Sequence, residues 1–332
     1  MRKATFSSVL YGVAHLAGLD RDNLSTNEFT RIRDLADARL ALAWESGEWP
    51  DTLLFEERTF RPLWSSGTTY AKDDEVYYAA KDKYYQSMAA ANTANTPTDK
   101  DWWADASETP TGDDWVSSTA YVSGDTVKYT TDGKYYWCYA AHTSSVSITP
   151  TSSSYWTQLI PFDRYIAYEQ TGETKIGEYL SVTSKDPRNF TANKEYSYEL
   201  TGLGAHVAKD VNKVWIKGRK QRPLLTGDNY SSTSTYVADD QVYHNGNFYD
   251  ANQAVGVSES PTLTASKWTL VELPYVFGNY LIRGAFADYL RATGNNELAA
   301  PADADAEAVM TVEADKLLRQ QGQVKRVQML TY

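Results

Sequence analysis

A single cysteine, Cys138, in 332 residues excludes an intramolecular disulfide framework and any multi-thiolate zinc site. A lone thiol of this kind reads as a small buried hydrophobe and fits assembly in the cytoplasm better than secretion. The four histidines, at 15, 142, 206 and 244, are scattered and form no HExxH pair, so no catalytic metal is expected. Positive charge is in deficit. The 32 Lys and Arg stand against 43 Asp and Glu, a net charge of -11, which argues against wrapping a nucleic-acid backbone. No apolar run approaches membrane-span length, and the opening Val9, Leu10 and Val13 are helix-periodic rather than a signal-peptide core. There is no Walker A motif and no GxSxG. Gly202-Leu203-Gly204 with His206-Val207 is a broken GxGxxG without a preceding βαβ unit. The pairs Glu56-Glu57, Asp73-Asp74, Asp113-Asp114 and Asp239-Asp240 invite a glycosidase reading. Three of them fall in or beside a repeated turn, which makes them structural. No catalytic residue, metal or cofactor is therefore expected, and the chain does not read as an enzyme.

Tyrosine is abundant instead, with 25 Tyr and 10 Trp against 9 Phe and 4 Met, a balance suited to many short, half-buried strands. The two ends, by contrast, are helical. Thr5 can cap a helix through Phe6, Val9, Leu10, Val13 and Leu16, stopped by Gly18. Ser25 and Glu28 make a capping-box pair for a second helix to Trp44, ended by Trp49-Pro50. A third follows Pro274 through Tyr280, Leu281, Gly284, Ala285 and Tyr289 to Gly294. A fourth is expected from Pro301 to about Gly322. None can bury its apolar stripe alone, so the four are expected to share one bundle.

The middle contains a repeat. Trp64, Tyr70 and Val76 are spaced like Trp115, Tyr121 and Val127 and like Tyr230, Tyr236 and Val242, six residues apart each time. Each copy continues through a returning tyrosine (Tyr85, Tyr136, Tyr249) to a proline and a closing tryptophan (Trp103, Trp156, Trp268). The pattern predicts a small antiparallel sheet with turns at Asp132-Gly133 and Asn245-Gly246. Its aromatics, Trp64, Tyr70, Trp103, Trp115, Tyr121, Trp156, Tyr230, Tyr236 and Trp268, form either a core or a platform for sugar rings. The remaining stretches 53–60, 162–168, 177–183, 196–200 and 214–217 read as a host sheet that the copies interrupt.

The repeat resembles the small chitin- and cellulose-binding modules of the family 5/12 type. In those modules a Trp-Trp pair shortly after the returning tyrosine commonly makes the sugar platform. The matching stretches here are Ser87-Met88-Ala89-Ala90, Cys138-Tyr139-Ala140-Ala141 and Ala251-Asn252-Gln253-Ala254. The host resembles phage head-to-tail adaptor (connector) proteins through Ser7-Ser8-Val9-Leu10, Ala17-Gly18-Leu19, Arg39-Leu40, Ala43-Trp44-Glu45 and Trp49-Pro50. It does so again through Glu57-Arg58, Asp186-Pro187-Arg188, Val214-Trp215-Ile216, Tyr289-Leu290, Glu313 and Gln320-Gln321. That resemblance implies a subunit of a dodecameric ring in the virion neck, assembled in the host cytoplasm. Its partners would be other copies of itself, the portal protein and a tail or nozzle protein. Genomic DNA would pass through without sequence-specific contact, and no membrane is involved. A carbohydrate-binding or host-surface-binding accessory virion protein is the alternative.

The expected fold is α+β: a terminal α-helical bundle with a small antiparallel β-sheet core and three inserted all-β modules. The boundaries are 1–62 (host), 63–108 and 113–160 (modules), 161–226 (host sheet), 227–272 (third module) and 273–332 (helices and tail). The modules are expected to be self-contained and peripheral, so that excising residues 227–271 leaves a folded host. Small residues at Gly284, Ala285 and Ala287 are expected to admit neighbouring subunits. The C-terminal stretch is read as a portal-docking arm carrying Lys316, Arg319, Val324, Lys325, Arg326, Val327, Met329 and Leu330. Beyond Gly322 it is expected to be extended, fit to add to a sheet edge or lie in a groove.

Overall fold

Thr5 caps α1 (Phe6–Leu16), its hydroxyl accepting the Ser8 N–H at 3.3 Å. Ser25 and Glu28 close a reciprocal box on α2 (Thr26–Glu45). The Ser25 hydroxyl accepts from Glu28 N–H at 3.3 Å, and Glu28 accepts from Ser25 N–H at 2.9 Å. Gly18 (φ 71°) and Gly294 (φ 86°) adopt the left-handed conformation that releases the chain after α1 and after α3 (Gly278–Ala292). The last helix, α4 (Asn296–Val327), departs from expectation at both ends. It starts ahead of Pro301, which sits in the second turn and removes one hydrogen bond of the ladder. It also runs through Gly322, because adding a turn to a helix already templated on α3 costs far less than starting one. The computed structural model describes residues 3–170, 172–189 and 193–327, with side chains through residue 319.

The chain divides into two compact units, residues 1–52 with 222–332, and residues 53–221. In the first, α3 lies against α1, α2 and α4. Val9, Leu10, Val13, Ile32, Leu40, Leu281, Ala285, Ala306 and Met310 join in one buried cluster. Gly12 lets α1 and α3 cross closely, since a Cβ there would lie 2.8 Å from Ile282. Arg39, Asp288, Arg291 and Asp303 form a closed ring of alternating charge across α2, α3 and α4. Its four contacts are Arg39–Asp288 at 2.6 Å, Arg39–Asp303 at 2.7 Å, Arg291–Asp288 at 2.6 Å and Arg291–Asp303 at 2.6 Å.

The second unit contains two three-stranded antiparallel sheets rather than the single sheet expected. One has Lys213–Lys220 between Leu53–Thr59 and Ile176–Thr183; the other has Gly204–Val207 between Tyr165–Ala167 and Tyr198–Leu200. Leu54, Tyr179, Val182, Val214 and Ile216 from the first pack with Ile166, Ala205 and Val207 from the second. Pairing along Ile176–Thr183 is interrupted by register shifts, and the hairpin 198–207 contributes Ala205 and Val207 to the core it shares with that sheet. The strand Gly204–Val207 was hidden in the broken GxGxxG. Gly204 (φ 149°) is there for close approach: a Cβ would lie 1.9 Å from the Ile166 carbonyl oxygen.

Candidate interaction sites

Each repeat builds its inner face in the same way. After the conserved spacing places a tyrosine under the turn, its hydroxyl accepts a backbone N–H five residues upstream: Ser65 to Tyr70 at 2.7 Å, Val116 to Tyr121 at 2.9 Å, Ser231 to Tyr236 at 2.8 Å. The residue pair before the valine is a turn device. Asp73, Gly124 and Asp239 take positive φ (73°, 98° and 71°). The following Asp74, Asp125 and Asp240 accept from Ala71, Val122 and Val237 N–H at 2.7, 2.8 and 2.7 Å. These carboxylates are spent on the backbone, as the repeated spacing implied. The closing tryptophans lie edge-on to the tyrosines, with centroids at 5.2 Å (Tyr70–Trp103), 5.0 Å (Tyr121–Trp156) and 5.5 Å (Tyr236–Trp268). Their indole N–H groups donate to the Asn95 carbonyl, His142 Nε2 and the Glu259 carbonyl at 3.0, 3.0 and 3.1 Å.

Of the nine candidate platform aromatics, Trp103, Trp156 and Trp268 are buried (1%, 2% and 5% exposed), and so are Tyr70 and Tyr121. Trp64, Trp115, Tyr230 and Tyr236 are half-buried. Trp64 packs edge-on to Tyr78, Trp115 to Tyr129 and Tyr230 to His244. The set is a packed core, three times over, and no open row of rings arises from it. Cys138 belongs to the second of these cores, where burial pushes its thiol up to about 11. One expectation about these sheets needs correction. The first strand of the second and third repeats pairs in parallel, Asp113 beside Val127 and Asp228 beside Val242, and Leu63 bridges Tyr77 likewise.

The outer faces overturn the picture of self-contained grafts. In the first repeat Tyr77 and Tyr84 leave their own core and pack with Phe60 and Phe162 of the sheet unit, Tyr84 stacking on Phe162 at 4.6 Å. The second repeat covers its outer Trp137 and Leu159 with Met88 and Ala104 of the first. Thr157 hydroxyl donates to the Met88 carbonyl at 3.0 Å and the Trp137 indole to the Lys100 carbonyl at 3.1 Å. In the third repeat Phe248 packs at 4.6 Å from Phe6, Tyr243 at 5.0 Å from Phe29, and Val271 joins the helical core. Arg33 of α2 also donates to the Gly227 carbonyl at 3.1 Å and pairs with Asp228 at 2.7 Å. The sequence did carry this signal. The residue after the valine is Tyr77 in the first copy and Tyr243 in the third, but Lys128 in the second. Gly112 and Gly227 were a second missed signal, equivalent positions where a Cβ would meet the backbone of Thr126 and Gln241 at 2.5 and 2.8 Å.

The helix sites differ too. Gly284, Ala285 and Ala287 are buried within the chain itself, and a Cβ on Gly284 would lie 2.8 Å from Arg39. Their small size serves the approach of α2 to α3, so the expectation of an intersubunit role for them is corrected. In the docking arm Lys316 and Arg319 lie on α4, engaging Glu313 at 2.5 Å and the Asp315 carbonyl at 3.2 Å. The backbone of Val324, Lys325, Arg326 and Val327 is helical, not extended. Their side chains, and Met329 and Leu330 altogether, lie outside the described residues.

Among the described residues no group of His, Cys, Asp and Glu could hold a metal ion, and no helix is long and apolar enough to cross a membrane. No family model and no curated protein matches the chain.

Proposed function

We propose that the chain is a virion structural protein, a head-to-tail adaptor ring subunit that connects portal to tail. Helices of both termini form its bundle, two small antiparallel sheets form the middle of the chain, and the three β modules interrupt the sequence of this host. The observation that carries this reading is the single core shared by α1, α2, α3 and α4, drawn from opposite chain ends. That is the helix–sheet–helix order implied by the adaptor resemblance. A free array of sugar-binding modules has no need of such a core. Self-association would place many acidic chains around one channel, and a net charge of -11 per chain favours passage of DNA without its retention. The basic end of α4 suits an acidic groove on the portal, which a helix can enter by one face.

The carbohydrate-binding alternative draws little from the geometry, because the closing tryptophans are consumed by packing. Retention on chitin or cellulose is accordingly expected to be absent. The deciding experiment is mass measurement of the recombinant chain alone and mixed with portal rings. Ring-sized assemblies are expected, and truncation after Gly322 should keep them while weakening portal affinity at least tenfold, about 1.4 kcal/mol. A chain that remains monomeric in both settings rules the reading out.

A further inference from the structure

We propose that Asn245-Gly246, the turn by which the third repeat meets α1, is a site of spontaneous deamidation. Of all the asparagines, only Asn245 is followed by glycine, which leaves the attacking backbone nitrogen unshielded. Asn245 is exposed, and its carboxamide makes no hydrogen bond among the described residues. The strand ladder closes at His244 and Asn247, so the Gly246 N–H lies outside it. The turn of the second repeat supplies the contrast. There Asp132 precedes Gly133, but its carboxylate accepts from Lys134 N–H at 2.9 Å and from the Tyr136 hydroxyl at 2.6 Å, and is held as an unreactive anion.

The step needs only water. The Gly246 nitrogen gives its proton to solvent and attacks Cγ of Asn245. The new N–Cγ bond forms as Cγ–Nδ2 breaks, and the side-chain nitrogen takes up a proton and leaves as ammonia. Water then opens the succinimide at one carbonyl to give aspartate, or at the other to give isoaspartate. The two products act differently here because the Gly246 carbonyl accepts the Ser7 N–H at 2.8 Å in the first turn of α1. Aspartate preserves the main chain and brings negative charge to a helix N-terminus, which favours the contact. Isoaspartate inserts a methylene into the main chain. A two-residue loop can then no longer hold His244 opposite Asn247 and the Gly246 carbonyl on Ser7, and the third repeat loosens from α1.

The test is peptide mapping of the full chain during ageing in mildly alkaline buffer. A gain of about 1 Da is expected in the Asn245 peptide, ahead of every other asparagine peptide. Part of it should be a substrate for isoaspartyl methyltransferase, and thermal stability should fall in step with that part. The variant Asn245→Asp, which carries the charge without the insertion, should melt no lower than the parent. An unmodified Asn245 after a time that deamidates the same site in the urea-unfolded chain overturns the proposal. So does a gain spread evenly over the asparagines, or an Asn245→Asp variant as unstable as the aged protein.

Discussion

Gly204 shows how much one hydrogen atom in place of a side chain can decide. At φ 149°, with the Ile166 carbonyl where a Cβ would go, no other residue fits without opening the pairing of Gly204–Val207 with Tyr165–Ala167. Gly204→Ala is expected to cost about 2–3 kcal/mol, the scale of a strained backbone position plus a clash that must relax. Urea titration of the parent and variant measures it, and a cost within 0.5 kcal/mol or so of zero, the range of ordinary surface substitutions, would contradict the argument. Asp303 works through charge instead. It is held below the usual carboxylate range, first by the hydrogen bond from Arg291, against a partial desolvation and with help from Arg39. A carboxylate lowered in the folded state adds stability above its unfolded pKa, near 3.9, and that stability is lost as pH falls through the folded value. The attachment of α4 should therefore weaken below about pH 4, and Asp303→Asn should melt with a flatter acid limb than the parent.

At the scale of elements, the repeats are two-faced. The inner face reads directly from spacing, because Tyr and Asp recur at fixed intervals and bond nearby backbone, and a closing Trp packs edge-on to each Tyr. The outer face depends on what lies opposite, and only alternation along the hairpin hints at it. Val76, Tyr78 and Tyr85 point one way while Tyr77 and Tyr84 point the other. For the third repeat this reverses the expectation of easy excision. Removing residues 227–271 takes Phe248, Tyr243 and Val271 from the helical core and leaves Phe6 and Phe29 uncovered. The excised chain is expected to lose cooperative unfolding. Phe248→Ala alone should cost about 3–5 kcal/mol by thermal or urea melts. A sharp, parent-like transition after excision would show that the helices stand without the repeat.

For the whole molecule, the division into two units gives a sharper partition than host and grafts. Leu53 is paired with Arg219 on the neighbouring antiparallel strand, so the ends of the stretch 53–221 lie side by side. A segment whose termini meet in a sheet can be cut out with little loss of structure. Residues 53–221 expressed alone are expected to fold, carrying the first two repeats and both three-stranded sheets. Dispersed amide resonances and a cooperative melt would bear this out. Residues 1–52 joined to 222–332 by a short linker should fold with the third repeat in place.

Local chemistry decided a great deal from sequence alone. The caps at Thr5 and Ser25, the left-handed Gly18 and Gly294, the three aromatic cores and the turn carboxylates all rest on interactions within about a dozen residues or on short repeated spacings. The strand 204–207, the length of α4 and the destinations of Tyr77, Trp137 and Phe248 rest on contacts with other elements, often distant in sequence, from Trp137 on the first repeat to Phe248 on Phe6. Alternation marks a side chain as leaving its own core without naming what receives it. Small residues mark a close approach without saying to which partner, which is why Gly284 proved to face Arg39 of the same chain. Only the tertiary structure supplies the opposite surface, because burial is a property of two faces and a sequence pattern describes one.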